Sequence, residues 1–511
     1  MRSKALACLM IVVLLGSFFT ASAFAAGPAP TGKLVALSAE TFTGSWDPTE
    51  HTILANMHAE WNCFDRLVDV DLKTQEIIPR LATAWKWLSP TELQMTLRKN
   101  DKFHDGKVFD GKDVKASLEK WSNRKAVGSA WWAQQVTVDV AAADPYTVVI
   151  KAPKPYASLL NVLTYAHIMS ADDIAKPDQL KSKMNGTGYF KFVKYENNAI
   201  TYEANMDGWD GAPKVKEFIF QYMADPASRL AALQTGEANI TERVESEQVP
   251  MIEADKKLAL YKQLATEQKW LVYKAPMPPM DNVTVRQALS YAVDRESIVK
   301  DILQGFARLS ESHLSPEQWG WASMPNLPTY DPKKAADLLT QAGYPGGKGL
   351  SGLKYFTSVG FYPKTKEYGE FIISNWNAVG VNVEFKPLEV ASWLENLYQP
   401  KSMPIGDTGW MSPNLDPDMA LVSLFRGPGQ LCFIEDKDVD AALAAEGQES
   451  MDVAKRKELL QTKTLPVLAD KVPQMPLFTS MLIYASTKDV EGFVPRATSM
   501  FDLKNVSVAA K

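Results

Sequence analysis

The sequence predicts a mixed α/β (α+β) protein of two or three domains, and three observations carry that expectation. Segments of period two alternate with segments of helical period along the whole length. The chain has 511 residues, well past the roughly 250–300 residues at which a single hydrophobic core stops growing. Glycine and proline punctuate it at short intervals, as they do where strands and helices are joined by tight turns.

The N-terminus comes first. Basic Arg2 and Lys4 precede an apolar run from Ala5 to Phe19, and small residues follow through Ala26. That order is the pattern of a secretory signal peptide over residues 1–25, with Ala23-Phe24-Ala25 as the cleavage triplet and Ala26 as the mature start. The run is shorter than the about 20 apolar residues a membrane span needs, and Cys8 lies too early for a lipid-anchor cysteine. A soluble periplasmic protein without a lipid anchor is expected. Its formal charge of −5 becomes −7 once Arg2 and Lys4 are removed. No basic cluster remains to bind nucleic acid. Cys63 and Cys432, far apart in sequence, are expected as buried small hydrophobes rather than a disulfide.

Asp144–Lys151 alternates after a turn and reads as a strand. In Val285–Leu303, Val285, Ala288, Leu289, Ala292, Val293 and Val299 share one face at helical spacing; a single helix is expected, capped by Asp281 or Thr284. Asp105-Gly106, Asp110-Gly111, Gly186-Thr187-Gly188 and Gly343–Gly347 mark turns. Ala275–Asp281, with Pro276, Pro278 and Pro279, excludes regular structure and is taken as a boundary. Val472–Tyr484 is extended and proline-marked, suited to a return across that boundary.

Catalysis is not expected. The sequence has five histidines, and His51 and His58 stand two helical turns apart instead of at the three- or four-residue spacing of helical metal ligands. There is no Gly-x-Ser-x-Gly, and no Gly-Lys-Ser follows Gly186-Thr187-Gly188-Tyr189. No enzyme, cofactor or metal is therefore assigned.

Several segments, in order, resemble extracellular solute-binding protein family 5, which includes dipeptide-, oligopeptide- and nickel-binding components of ABC importers. They are Leu81–Gly106 (LATAWKWLSPTELQMTLRKNDKFHDG), Asp113-Val114, Gly186–Tyr189, Val285–Leu289 with Asp294-Arg295, Tyr330–Pro332 with Leu338-Leu339 and Ala342–Pro345, Gly409-Trp410, and Asp416-Pro417. The resemblance implies a type II periplasmic-binding-protein-like fold, two lobes closing about a hinge, with an extra domain. Lobe I would comprise Ala26–Phe64, Met184–Lys269 and Met481–Lys511, the extra domain Asp65–Lys183, and lobe II Trp270–Ser480. It also implies a monomer that captures a peptide or amino-acid-derived small solute and delivers it to an inner-membrane ABC permease. An oligosaccharide, an opine-like conjugate or a chelated metal is the alternative ligand class. His104, in Phe-His-Asp-Gly, is expected as a hydrogen-bonded turn residue.

Peptide-binding members hold the ligand's ammonium group with an aspartate shortly after the Gly-Trp pair. Alignment puts Pro413 there, without charge or acceptor, and leaves Asp407 or Asp416 as substitutes; a helix cap is the plainer role for Asp416. Trp46, Trp270 and Trp410 stand where the family directs residues toward the cleft, and aromatic faces bind apolar groups, sugars or cations. Trp131 and Trp132 are adjacent, so at most one is expected to reach a ligand. Arg426 and Arg243 are candidate carboxylate clamps. The expected ligand-binding set is Trp46, Trp270, Trp410, Asn414, Asp416 and Arg426.

Overall fold

The computed structural model describes residues 29–71, 74–123, 125, 126, 132, 134–425, 431, 433–447 and 450–509. The expected signal peptide with its Ala26 junction, and Trp131, Arg426 and Cys432, lie outside the described residues.

Strands alternate with helices along the chain. In order they are β1 (Lys33–Ser38), β2 (Val68–Val70), β3 (Ile77–Pro79), β4 (Ala82–Ser89), β5 (Glu92–Leu97), β6 (Thr137–Val140) and β7 (Thr147–Lys151). β8 (Phe190–Glu196), β9 (Ala199–Ala204), β10 (Glu217–Tyr222), β11 (Ile240–Thr241), β12 (Leu258–Tyr273) and β13 (Ala307–Leu309) follow. β14 (Leu353–Ser358), β15 (Val383–Leu388), β16 (Ile405–Trp410) and β17 (Gln474–Thr487) complete the large sheet, whose order is β15-β14-β16-β12-β17-β11-β1-β10-β9-β8 with β13 also on β17. A separate antiparallel sheet runs β4-β5-β7-β6.

The large sheet serves two halves. Around β1, β8–β11 and the C-terminal part of β17, Leu34, Phe218 and Phe220 share a core that continues into Leu93, Val148 and Ile150 of the four-stranded sheet. A satellite core gathers Leu230, Leu233, Ile252, Leu258 and Ile483. At the other end, Leu271, Leu289, Tyr355 and Trp376 pack on one face, and Trp270, Phe356, Trp393 and Phe425 on the opposite one. Two long strands run through both halves. β12 starts with Leu258 in the satellite core and ends with Leu271 and Val272 in the far cores, and antiparallel β17 retraces the path. The expected proline break, Ala275–Asp281, follows β12 with only Lys274 between them.

One expected element is divided. Val283–Tyr291 is helical, with Val285, Ala288 and Leu289 buried, but its cap is Asn282, whose side chain accepts from Thr284 N–H at 2.9 Å, not Asp281 or Thr284. The helix stops at Ala292, and a new one starts because Asp294 accepts from the backbone N–H of Ser297 at 3.0 Å. A π-helical turn, Ile298–Ile302, completes it. The apolar periodicity ran through a capping aspartate that resets the backbone.

The Phe-His-Asp-Gly and Gly-Thr-Gly-Tyr segments meet each other. His104 donates its backbone N–H to Gly186 O at 2.8 Å and its Nε2 to Gly188 O at 3.0 Å. Burial pulls its pKa down to about 4 and keeps the ring neutral. A side chain at Gly186 would place Cβ 2.1 Å from the Cys63 carbonyl, so only glycine permits this approach. His104 is thus a scaffold residue, and Cys63 is buried with its sulfur 3.8 Å from His104 Nδ1.

Candidate functional site

Between the two halves lies a cavity of about 520 Å³. Its position follows from an irregular stretch of the sheet, where the β12–β17 register shifts between Leu264 and Gln268 and again between Lys269 and Trp270. β12 and β17 pair regularly from Leu258↔Thr487 to Leu264↔Met481, lose register, and resume at Gln268↔Thr479. Three residues of β12 therefore face one of β17, Ser480, and such bulges bend a strand and re-aim its side chains. The freed backbone groups are met elsewhere: Ala265 O accepts from Ser315 Oγ at 2.6 Å, and Thr266 N–H donates to Ala497 O at 2.8 Å. Glu267 and Lys269 emerge on the cavity wall, and Glu267 accepts from Ser480 Oγ at 2.6 Å.

The near wall comes from the segment after β11. Glu242 accepts from Ser38 Oγ and Ala39 N–H, both at 3.0 Å, and its other oxygen lies 3.1 Å from His58 Nδ1. Burial would raise its pKa, but His58, Arg243 and the Ala39 N–H bring it down to about 2. Arg243 has φ of +50°, in the left-handed region, and its carbonyl is held by Arg229 Nη2 at 3.0 Å. Its guanidinium pairs with Glu40.

The far wall is the loop after β14, with Phe361, Tyr362 and Lys364. Tyr362 donates its hydroxyl to Gly409 O at 3.0 Å, and the Lys269 ammonium stands 2.9 Å from the centre of its ring. Gly409 makes this arrangement possible, because a Cβ there would lie 3.0 Å from Lys269 Cδ and 3.1 Å from the Tyr362 ring. Lys364 reaches across to Glu247 of the near half at 2.5 Å. That pair is partly solvated and contributes about 0–1 kcal/mol.

Strand alternation decides where the expected residues fall. Lys269 opposes Gly409 on the cavity face, so Trp270 and Trp410, one residue along each strand, turn to the other. Trp270 is buried edge-on to Phe425, with ring centres 6.3 Å apart. Trp410 is half-buried and touches cores of both halves. Trp46 packs in the first core against Phe42, Phe192 and Tyr195, at 5.9, 6.0 and 5.4 Å. Trp132 is buried in that core too.

Asp416 caps the helix Pro417–Phe425 by accepting from Asp418 N–H at 2.9 Å, and holds Arg456 through two hydrogen bonds of 2.6 and 2.7 Å. Asn414 is buried, and its Oδ1 accepts from Asp416 N–H at 3.1 Å. Asp407 is buried and accepts the Tyr368 hydroxyl; burial raises its pKa against the pull of Lys269. None of Trp46, Trp270, Trp410, Asn414 and Asp416 is among the cavity-lining residues, whereas Arg243 is. Glu242, Glu267, Lys269 and Tyr362 escaped sequence reasoning. Lys269 did carry a signal, a lysine directly before the apolar run Trp270–Tyr273.

Among the described residues, no group of three or more histidines, cysteines or carboxylates is arranged to hold a metal ion, and no helix is long and apolar enough to cross a membrane.

Two expectations follow from these contacts. Replacing Arg456 by methionine leaves Asp416 buried without its partner, so stability should fall by about 3–5 kcal/mol with ligand capture retained; a stable R456M protein that has lost its ligand would restore a binding role to Asp416. Glu242, depressed to about 2 from an ordinary 4.5, stabilises the fold above its unfolded pKa and loses that contribution as pH falls from about 4.5 toward 2. Denaturant unfolding of E242Q should show an acid-induced loss smaller by about 3 kcal/mol than the parent's, and identical pH profiles would contradict the assignment.

Residues 76–431 match the model of the bacterial extracellular solute-binding proteins, family 5 (middle). The dipeptide-binding protein of Escherichia coli (strain K12) is 27% identical over 481 residues, covering 87% of this chain and 89% of that protein. Heme-binding protein A of Haemophilus influenzae is 27% identical over 482 residues, covering 88% and 87%. The crystal structure of the dipeptide binding protein from Pseudoalteromonas sp. SM9913 in complex with Met-Leu superposes with a TM-score of 0.81 at 21% identity, over 94% of this chain and 100% of that one. The Helicobacter pylori periplasmic binding protein DppA, in complex with peptide STSA, gives 0.79 at 25%, over 94% and 98%. The fold is type II periplasmic-binding-protein-like. With the family model spanning most of its length, the chain belongs to the bacterial extracellular solute-binding proteins of family 5.

Proposed function

We propose that this chain is the periplasmic substrate-binding component of an ABC importer, capturing a peptide or amino-acid-derived solute between two lobes and passing it to the membrane permease. The observation that carries the reading is the cavity itself. It lies between two halves joined by β12 and β17, its about 520 Å³ falls within the usual size of small-ligand sites, and its wall bears both Glu242 and Glu267 and Arg243 and Lys269. A zwitterionic solute needs both signs. The carboxylates offer an ammonium group the partner that Pro413 lacks.

Lobe I is read as residues 26–64, 184–269 and 481–511, lobe II as 270–480, and the extra domain as 65–183. Those boundaries put Glu247 and Lys364 on opposite lobes, and Glu267 and Ser480 at the crossing. Closure would bury a ligand and present one shape to the permease. The relatives' names support a peptide most directly, and family members are binding proteins for transport, so the chain is read as a non-enzyme. Residues 1–25 are read as the export signal. Trp410, touching cores of both halves, is read as the aromatic group that senses closure.

Native mass spectrometry of protein from the periplasmic fraction tests this reading. A mass beginning at Ala26 with a non-covalently held peptide or amino-acid derivative is expected. A sugar or metal chelate in its place would keep the role and change the ligand class. Protein that begins at Met1 and takes up no solute from cell extract would overturn both export and capture.

A further inference from the structure

Lys269 is the cavity group whose chemistry the fold does not use. It is 2% exposed, and its ammonium has no hydrogen-bond partner among the described residues. The other cavity cations are differently placed: Arg243 pairs with Glu40, Arg229 donates to the carbonyls of Met223, Ala224 and Arg243, Lys364 pairs with Glu247, and Lys366 is exposed. Asp407 lies on the same sheet face, two residues from Gly409; its Oδ2 accepts the Tyr368 hydroxyl, and its buried Oδ1, like the ammonium, has no hydrogen-bond partner among the described residues. What covers the ammonium is the face of Tyr362, at 2.9 Å from the ring centre.

A buried ammonium without hydrogen bonds is costly, and an apolar side chain of similar length would fill the same space without that cost. The site nevertheless reserves room for it, since Gly409 keeps clear the volume that the lysine stem and the Tyr362 ring occupy. Burial draws its pKa down to about 8, against the upward pull of Asp407 and Glu267. An anion brought alongside would relieve the desolvation and supply the missing hydrogen bonds.

We propose that the Lys269 ammonium, at the wall of the inter-lobe cavity and without a hydrogen-bond partner, is the anchor for a carboxylate of the bound solute. This rests on the reading of the chain as a binding protein for peptides or amino-acid derivatives, and it names the ligand feature recognised, a free carboxylate. Tyr362, with its hydroxyl fixed on Gly409, forms the face against which the ammonium itself is held.

The test uses two probes, a random mixture of di- to tetrapeptides with free C-termini and the same mixture converted to C-terminal amides. Purified wild-type protein, stripped of ligand, and Lys269→Met are each offered both mixtures, and capture is read by native mass spectrometry and titration calorimetry. Wild type should hold free acids at least tenfold more tightly than amides. Lys269→Met should lose that preference while melting no lower than wild type, because a desolvated charge has been removed. Should that variant fold poorly with Asp407 left alone, Lys269→Met/Asp407→Asn removes both charges and carries the same expectation. Equal capture of acids and amides by wild type, or an undiminished preference in the variants, overturns the anchor and leaves the peptide-binding reading standing. Capture of neither mixture by wild type overturns both.

Discussion

The pairing of β12 with β17 is the constraint on which the rest depends. These antiparallel strands belong to the cores of both halves, so any movement between the halves is transmitted through them. Their register is broken twice in close succession, between Leu264 and Gln268 and again between Lys269 and Trp270. At the first break the backbone turns to Ser315 and Ala497 for hydrogen bonds, and Glu267, Ser480 and Lys269 are presented to the cavity. A regular ladder would have left no such opening. Bulges increase local twist and bend, which suits the hinge and site proposed for this crossing.

Charge is placed in this site against the interests of stability. Arg456 and Asp416 are joined by two hydrogen bonds, as buried ions in a scaffold commonly are, and Glu242 is met by a hydroxyl, a backbone N–H and His58. Lys269 departs from that rule. Strongly perturbed ionisable groups gather at functional sites because stability is surrendered there for interaction with something external. The glycine at position 409 ties this to the family pattern: the Gly-Trp pair supplies on one face the space for Lys269 and Tyr362, and on the other an indole between the two cores.

Much of the architecture was legible because it is written in local chemistry. The turn before β7 and the apolar face of Val285, Ala288 and Leu289 appear as expected, and the proline cluster at Pro276–Pro279 does follow the strand that leaves the first half. The single helix over Val285–Leu303 was misread because hydrophobic period is blind to a capping side chain such as Asp294. The site was less legible for a different reason. Which face of a strand meets a cavity depends on its register with a partner some two hundred residues away, and a one-residue step exchanges Trp270 for Lys269. Pro413 stood where a ligand aspartate was sought; Asp416, the substitute, takes the plainer role of a helix cap and pairs with Arg456, forty residues on. Arg243 was singled out for its guanidinium alone, and the structure sets it on the wall.

The central claim is that the two halves move relative to one another about the β12–β17 crossing and that a solute holds them closed. The direct measurement is the distance between spin labels at Met251, in the helix after Glu247, and Glu370, in the helix after Lys364, both exposed positions, with Cys432 replaced by serine to prevent stray labelling. Pulsed electron resonance on ligand-stripped protein should give a long or broad distance distribution that collapses to one short, narrow distance when the free-acid peptide mixture is added. A distribution that stays the same with and without bound peptide would contradict closure as the working motion of this protein.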